Sequence, residues 1–141
     1  MDGAELANRY VETFNRGDTA EWAALFADDA VIHDPFYPEP VRGREAIEQM
    51  EASLRKSFPA MRCRLLGPVL DGGDQISCEL AVNGTNDGPL TMPDGSVLPA
   101  SGNKVSFATG VFWNVGRDGL ITEERSYFDV TGVASQLGLL G

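Results

Sequence analysis

The hydrophobic pattern of this chain changes period once, near Met61, and that change restricts the fold more than any other feature. Before it, apolar residues return every three or four positions, as on one face of a helix; after it they alternate, as in strands with one buried side. Leu6, Ala7, Tyr10, Val11 and Phe14 give a first helix over Ala4 to Asn15, and Gly17 ends it. Asp18 or Thr19 caps a second short helix carrying Trp22, Leu25 and Phe26. Asp28-Asp29 reads as a turn and Ala30 to Asp34 as a short strand. Pro35, Pro38 and Pro40 stiffen a loop that carries Phe36 and Tyr37. A third helix spans Arg44 to Ser57, with Ile47, Met50 and Leu54 inward and Pro59 as its stop.

The alternating half predicts strands at Arg62 to Leu70, Gln75 to Thr85, Lys104 to Val115 and Leu120 to Val130. Gly-rich turns at residues 71–74 and 116–119 join two of these pairs. The stretch Asn86 to Gly102 is a long excursion, the kind of loop that serves as a lid or a partner contact. A last short helix is expected from Val133 to Leu139. Helices followed by a meander of long strands make an α+β domain, and 141 residues make one domain.

Several function classes drop out on composition. The formal net charge is −10, which disfavours nucleic acid and anionic membrane as partners. No apolar run reaches the roughly 18 residues of a membrane span, and the acidic start Met1-Asp2-Gly3-Ala4-Glu5 does not read as a signal peptide, so a cytoplasmic protein is expected. Cys63 and Cys78 read as reduced thiols. One histidine, His33, and no cysteine cluster predict no metal site; no phosphate-cradling glycine loop precedes a helix, and no cofactor is expected.

Phe26-Ala27-Asp28-Asp29-Ala30-Val31-Ile32-His33-Asp34-Pro35, with Tyr10 upstream and Val41-Arg42-Gly43 downstream, resembles the opening of the ketosteroid isomerase and SnoaL-like polyketide cyclase families. Both belong to the nuclear transport factor 2-like superfamily. The resemblance implies a cone-shaped α+β barrel, in which a curved, mostly antiparallel sheet wraps three N-terminal helices around one apolar pocket. It puts Asp34 at the position of the isomerase base and Tyr10 at that of the oxyanion donor. The second isomerase donor, an aspartic acid, falls at Val111, with Gly110 and Phe112 beside it, so no carboxylic acid stands there. The later half is similar to the cyclases: Asn83-Gly84-Thr85-Asn86 matches their Gly-Thr-His-type motif with Asn86 at the histidine position. The strand Glu124-Arg125-Ser126-Tyr127-Phe128-Asp129 puts Asp129 at their acid/base residue.

The implied activity is a cofactor-independent cyclase or isomerase of secondary metabolism, acting on a polyketide-like or polycyclic carbonyl compound. Asp129 and Asp34 are the candidate acid/base residues and Tyr10 the candidate donor. Alternation sets Arg125, Tyr127 and Asp129 on one face, and that face is expected to line the pocket. Phe14, Phe36, Trp113, Asn83 and Asn86 complete the expected substrate contacts, and the single histidine is expected to face away. Each residue also has a plain structural explanation: Asp34-Pro35 as a turn starter, Tyr10 as a core residue, Asp129 as an ion-pair partner of Arg125 or a helix cap. Rival activities are epoxide opening through Asp34, Arg125 and Asp129, a cyclisation steered by shape, and non-catalytic small-ligand binding. The superfamily also implies a homodimer formed through the sheet face away from the helices.

Overall fold

The computed structural model describes residues 1–140. Its elements run α1 (Gly3–Arg16), α2 (Thr19–Ala23), β1 (Phe26–His33), β2 (Val41–Arg42), α3 (Arg44–Ser57), β3 (Arg62–Asp71), β4 (Gln75–Thr85), β5 (Leu90–Thr91), β6 (Val97–Leu98), β7 (Lys104–Val115), β8 (Ile121–Tyr127) and α4 (Val130–Gln136). Six strands form one sheet in the order β2-β1-β8-β7-β4-β3, antiparallel except where β1 meets β8, and the sheet is not closed. Strands β5 and β6 form a separate small hairpin within the 86–102 excursion. This is the α+β architecture expected from the change of period.

Local chemistry sets the helix ends. The Asp2 carboxylate accepts from the Glu5 amide to start α1, and Gly17, at φ 70°, ends it by donating to Phe14 and Thr13 carbonyls. A non-glycine residue would hold that left-handed turn only at a cost. Asn15 then pins the helix end to the sheet: its side chain donates to the Cys63 carbonyl at 2.9 Å and accepts from the Cys63 amide at 2.8 Å. That clamp fixes the rotation of α1 and with it the direction of Tyr10 and Phe14.

Three local expectations are corrected. Asp28-Asp29 is not a turn; it lies inside β1, where the pairing with β8 slips between Phe26 and Val31 and the exposed Asp28 meets Arg44 at 2.8 Å. The last strand ends at Tyr127 rather than Val130, and α4 starts at Val130 rather than Val133, because the Asp129 carboxylate accepts from Gly132 N at 2.9 Å and caps the helix. The excursion after Thr85 is tied down at its base. Asn86, buried, donates to the Ser57 and Gly88 carbonyls and accepts from the amide and hydroxyl of Ser101. Gly88 packs so close to α3 that a Cβ there would stand 1.8 Å from the Lys56 carbonyl oxygen.

Both cysteines are free and buried, and burial pushes their thiols up to about 12 at Cys63 and about 11 at Cys78. Among the described residues no helix is long and apolar enough to cross a membrane.

Candidate active site

The concave face of the sheet and the three N-terminal helices enclose a cavity of about 190 Å³. One water needs about 10–15 Å³ on the same measure, so this is a ligand-sized chamber and not a packing flaw. Its walls are mostly apolar: Phe14 from α1, Met50 and Leu54 from α3, Leu80 and Val82 from β4, Val111 from β7. Into this apolar space project three carboxyl groups, from Asp34, Glu51 and Glu124, and two phenols, from Tyr10 and Tyr37.

Glu124 is the residue that the sequence reading missed. It is 5% exposed and receives the indole N–H of the fully buried Trp113 at 2.8 Å. The Tyr10 phenol stands beside it in the same cavity. Burial pushes the carboxyl up to about 7, against the opposing pull of these two donors. Tyr10 in turn is raised well above its ordinary value by its own burial and by Glu124, so the phenol keeps its proton and remains a donor at any working pH.

The resemblance set Asp129 at the acid/base position and so turned its face of the last strand inward, while a bulge puts the other face there. Counting alternate residues from the buried Ile121 puts Glu123, Arg125, Tyr127 and Asp129 inside. In the structure Ile121 pairs with Val115, but Glu123 pairs with Asn114, so one extra residue, Thr122, sits on β8 and reverses the alternation beyond it. Glu124, Ser126 and Phe128 therefore line the cavity. Arg125 and Tyr127 do share a face, but it is the outer one, and Asp129 lies past the strand's end. Arg125 pairs with Glu123 at 2.5 Å, Tyr127 is 60% exposed, and Asp129 is an exposed helix cap.

The remaining expected residues divide. Asp34 follows β1 on the parity of the buried Ile32, lines the cavity, and is raised by burial although the Phe36 amide donates to it at 2.8 Å. Tyr10, Phe14 and Phe36 line the same cavity. Trp113 does not reach the cavity lining; it stands behind Glu124 as its hydrogen-bond donor. Asn83 is exposed on the outer side of β4, and Asn86 spends its amide on the loop described above. His33 faces out and meets Glu123 at 3.1 Å. Epoxide opening through Asp34, Arg125 and Asp129 needs all three in one cavity, and only Asp34 is there.

The acid missing at Val111 has a neighbour of the right kind. Val111 lines the cavity on β7 and pairs with Ser126; the next cavity-facing step along β8 is Glu124, paired with Trp113. A carboxyl group thus reaches the floor of the chamber from the adjacent strand, next to Tyr10.

Residues 7–124 match the family described as the SnoaL-like domain. The chain belongs to this SnoaL-like family. Among solved structures it is similar to a candidate SnoaL-like polyketide cyclase from Jannaschia sp. CCS1, at 20% identity and a TM-score of 0.80, covering 99% of this chain and 92% of that one. A candidate polyketide cyclase from Xanthomonas campestris pv. campestris is 26% identical, with a TM-score of 0.79 and 96% of each chain covered. IdmH of Streptomyces antibioticus, also named as a candidate polyketide cyclase, is 26% identical, with a TM-score of 0.76 over 98% of this chain and 99% of its own. A further structure, from Catenulispora acidiphila DSM 44928, is named for its ketosteroid isomerase-like fold and matches at 18% identity and a TM-score of 0.76, covering 96% of this chain and 93% of that one. The SnoaL-like chain thus has the cone-type fold that its opening motif implied.

Proposed function

We propose that this SnoaL-like protein is a cyclase or isomerase that moves a proton at a carbon beside a carbonyl, on a polyketide-like or polycyclic substrate of secondary metabolism. The observation that carries the reading is the convergence of Asp34, Glu124 and Tyr10 on one apolar, ligand-sized cavity. Burial raises both carboxyl groups above their ordinary range, as proton transfer at working pH requires. The polyketide cyclase names of several structural neighbours point the same way.

In this reading Asp34 takes the proton from the substrate carbon. Charge then develops on the carbonyl oxygen, and the Tyr10 hydroxyl and the protonated Glu124 supply hydrogen bonds to it. Trp113 keeps Glu124 in place from behind. The chamber excludes water and folds the substrate so that the new enolate carbon meets its electrophile, which completes ring closure, or is reprotonated at another carbon, which completes isomerisation. Residues of the chain itself perform every step, without a cofactor.

The test is turnover of a panel of β-dicarbonyl polyketide mimics by wild type and Asp34→Asn. Asp34→Asn is expected to lose roughly 100- to 10,000-fold in kcat/KM while keeping its fold. Undiminished turnover would remove Asp34 as the base. Ligand binding by wild type with no turnover of any panel member would favour the binding module.

We further propose a homodimer built on the outer sheet face. Phe112 and Tyr127 are 39% and 60% exposed there, and their rings meet edge to face with centroids 6.0 Å apart. An aromatic patch on an exposed sheet face suits a second copy of itself. Light scattering is expected to give a mass twice 15.2 kDa for wild type and the single-chain mass for Tyr127→Glu; a wild-type monomer would reject the dimer.

A further inference from the structure

The helical wall of the cavity carries two polar groups that the proposed chemistry does not use. Glu51, on α3, is 3% exposed and lines the chamber. Its one side-chain partner among the described residues is Arg55, whose Nε lies 3.4 Å from Oε1, at the limit of a hydrogen bond. Arg55 is committed elsewhere. It donates to the Met61 carbonyl at 2.7 Å and to the Phe14 carbonyl, and its guanidinium stacks on the Phe14 ring at 4.3 Å. Glu51 Oε2 therefore has no protein partner among the described residues. On the neighbouring helix α2, Trp22 is 2% exposed and also lines the chamber, and its indole N–H is buried with no acceptor. It is the single buried side-chain polar atom in that position among the described residues.

Buried donors and acceptors are rarely left unmet, and each that is calls for an explanation. Glu51 Oε2 is an unmet acceptor on the helical wall of the cavity, whereas the Trp22 N–H has no surface open to it. We infer that Glu51 is a recognition point for an oxygen substituent of the substrate, a hydroxyl or phenol that donates to its unpartnered carboxyl oxygen. This rests on the reading above and narrows it: the substrate is oxygenated at two places, with a carbonyl toward Tyr10 and Glu124 and a hydroxyl toward α3. Glu51 would then be a specificity residue, not a catalytic one.

The test compares binding of 2-naphthol, its methyl ether and naphthalene by calorimetry, in wild type, Glu51→Leu, Glu51→Met, Glu51→Gln and Glu124→Gln, with folding checked by thermal unfolding. Wild type is expected to prefer the phenol by at least about tenfold, since a site built to bond a hydroxyl rejects the analogue that cannot donate. Glu51→Leu should erase the preference and Glu51→Gln, which keeps an acceptor oxygen, should restore most of it. Glu51→Met should likewise erase the preference and keeps the test alive if Glu51→Leu fails to fold. Glu124→Gln should retain the preference for the phenol. Equal or undetectable binding of phenol and ether by wild type would overturn the subsite. So would a preference that vanishes in Glu124→Gln but survives in Glu51→Leu; that result would leave the proposed acid/base site standing and move hydroxyl recognition to it.

Discussion

Replacing Glu124 with glutamine is expected to lower kcat/KM by roughly 100- to 10,000-fold at the wild-type optimum. The size follows from what the substitution removes. Glutamine fills the same space and still offers an oxygen to the Trp113 indole, so the floor of the cavity is kept. It cannot supply the acidic proton that a carboxyl near 7 can give to a developing oxyanion. The pH profile separates this from a structural effect. Activity that needs Glu124 protonated falls as pH rises through about 7. Activity that needs Asp34 ionised falls toward acid, at a point above the ordinary aspartate range because burial raises that group. Wild type is therefore expected to give a bell, and Glu124→Gln to give a lower curve without the alkaline limb that Glu124 sets. A mutant that keeps both limbs at full height would remove Glu124 from the chemistry.

Stability is expected to fall as pH rises from about 5 to about 8, the reverse of the usual carboxylate behaviour. Glu51 and Glu124 both sit at about 7 in the folded chain, against an ordinary 4.5, and burial is the first cause in each. A folded-state value raised above the unfolded one means the folded chain holds protons that the unfolded chain has released. The stabilisation from these groups is thus complete below about 4.5 and is lost as pH passes about 7. Each pKa unit is about 1.4 kcal/mol, so either group alone can cost roughly 3 kcal/mol by pH 8. The general repulsion of a chain carrying −10 acts in the same direction, and a mutant comparison subtracts it. Urea unfolding at pH 5.5 and pH 8 should show a large loss for wild type and a clearly smaller one for Glu124→Gln. Equal losses in the two proteins would mean that Glu124 ionises freely in the fold.

Much of this architecture was legible because it rests on short-range rules. The break in period at Met61 separates helices from strands, Gly17 and Ser57 close their helices where expected, and β4 and β7 have the predicted bounds. The opening motif led to Asp34 and Tyr10, which do line the cavity. The later site residues were illegible for reasons that differ from one to the next. Alternation assigns faces only while pairing stays in register, and the extra residue at Thr122 exchanges the two faces of β8. Asp129 lies past the strand's end, where its carboxylate has a local partner in the Gly132 amide. Asn86 misled in another way: a polar residue at a motif position was read as a ligand contact, while its hydrogen bonds hold the base of a loop. Glu51 gives no sign in the sequence, because a glutamate four residues before an arginine on a helix reads as a surface pair.

The most direct test is the titration of Glu124 itself, followed by carbon NMR of the glutamate side-chain carboxyls and assigned by the signal lost in Glu124→Gln. This carboxyl is expected to titrate near 7 in the unliganded protein. A midpoint in the ordinary glutamate range, near 4.5, would contradict it and leave the cavity without the acid that the proposed chemistry requires.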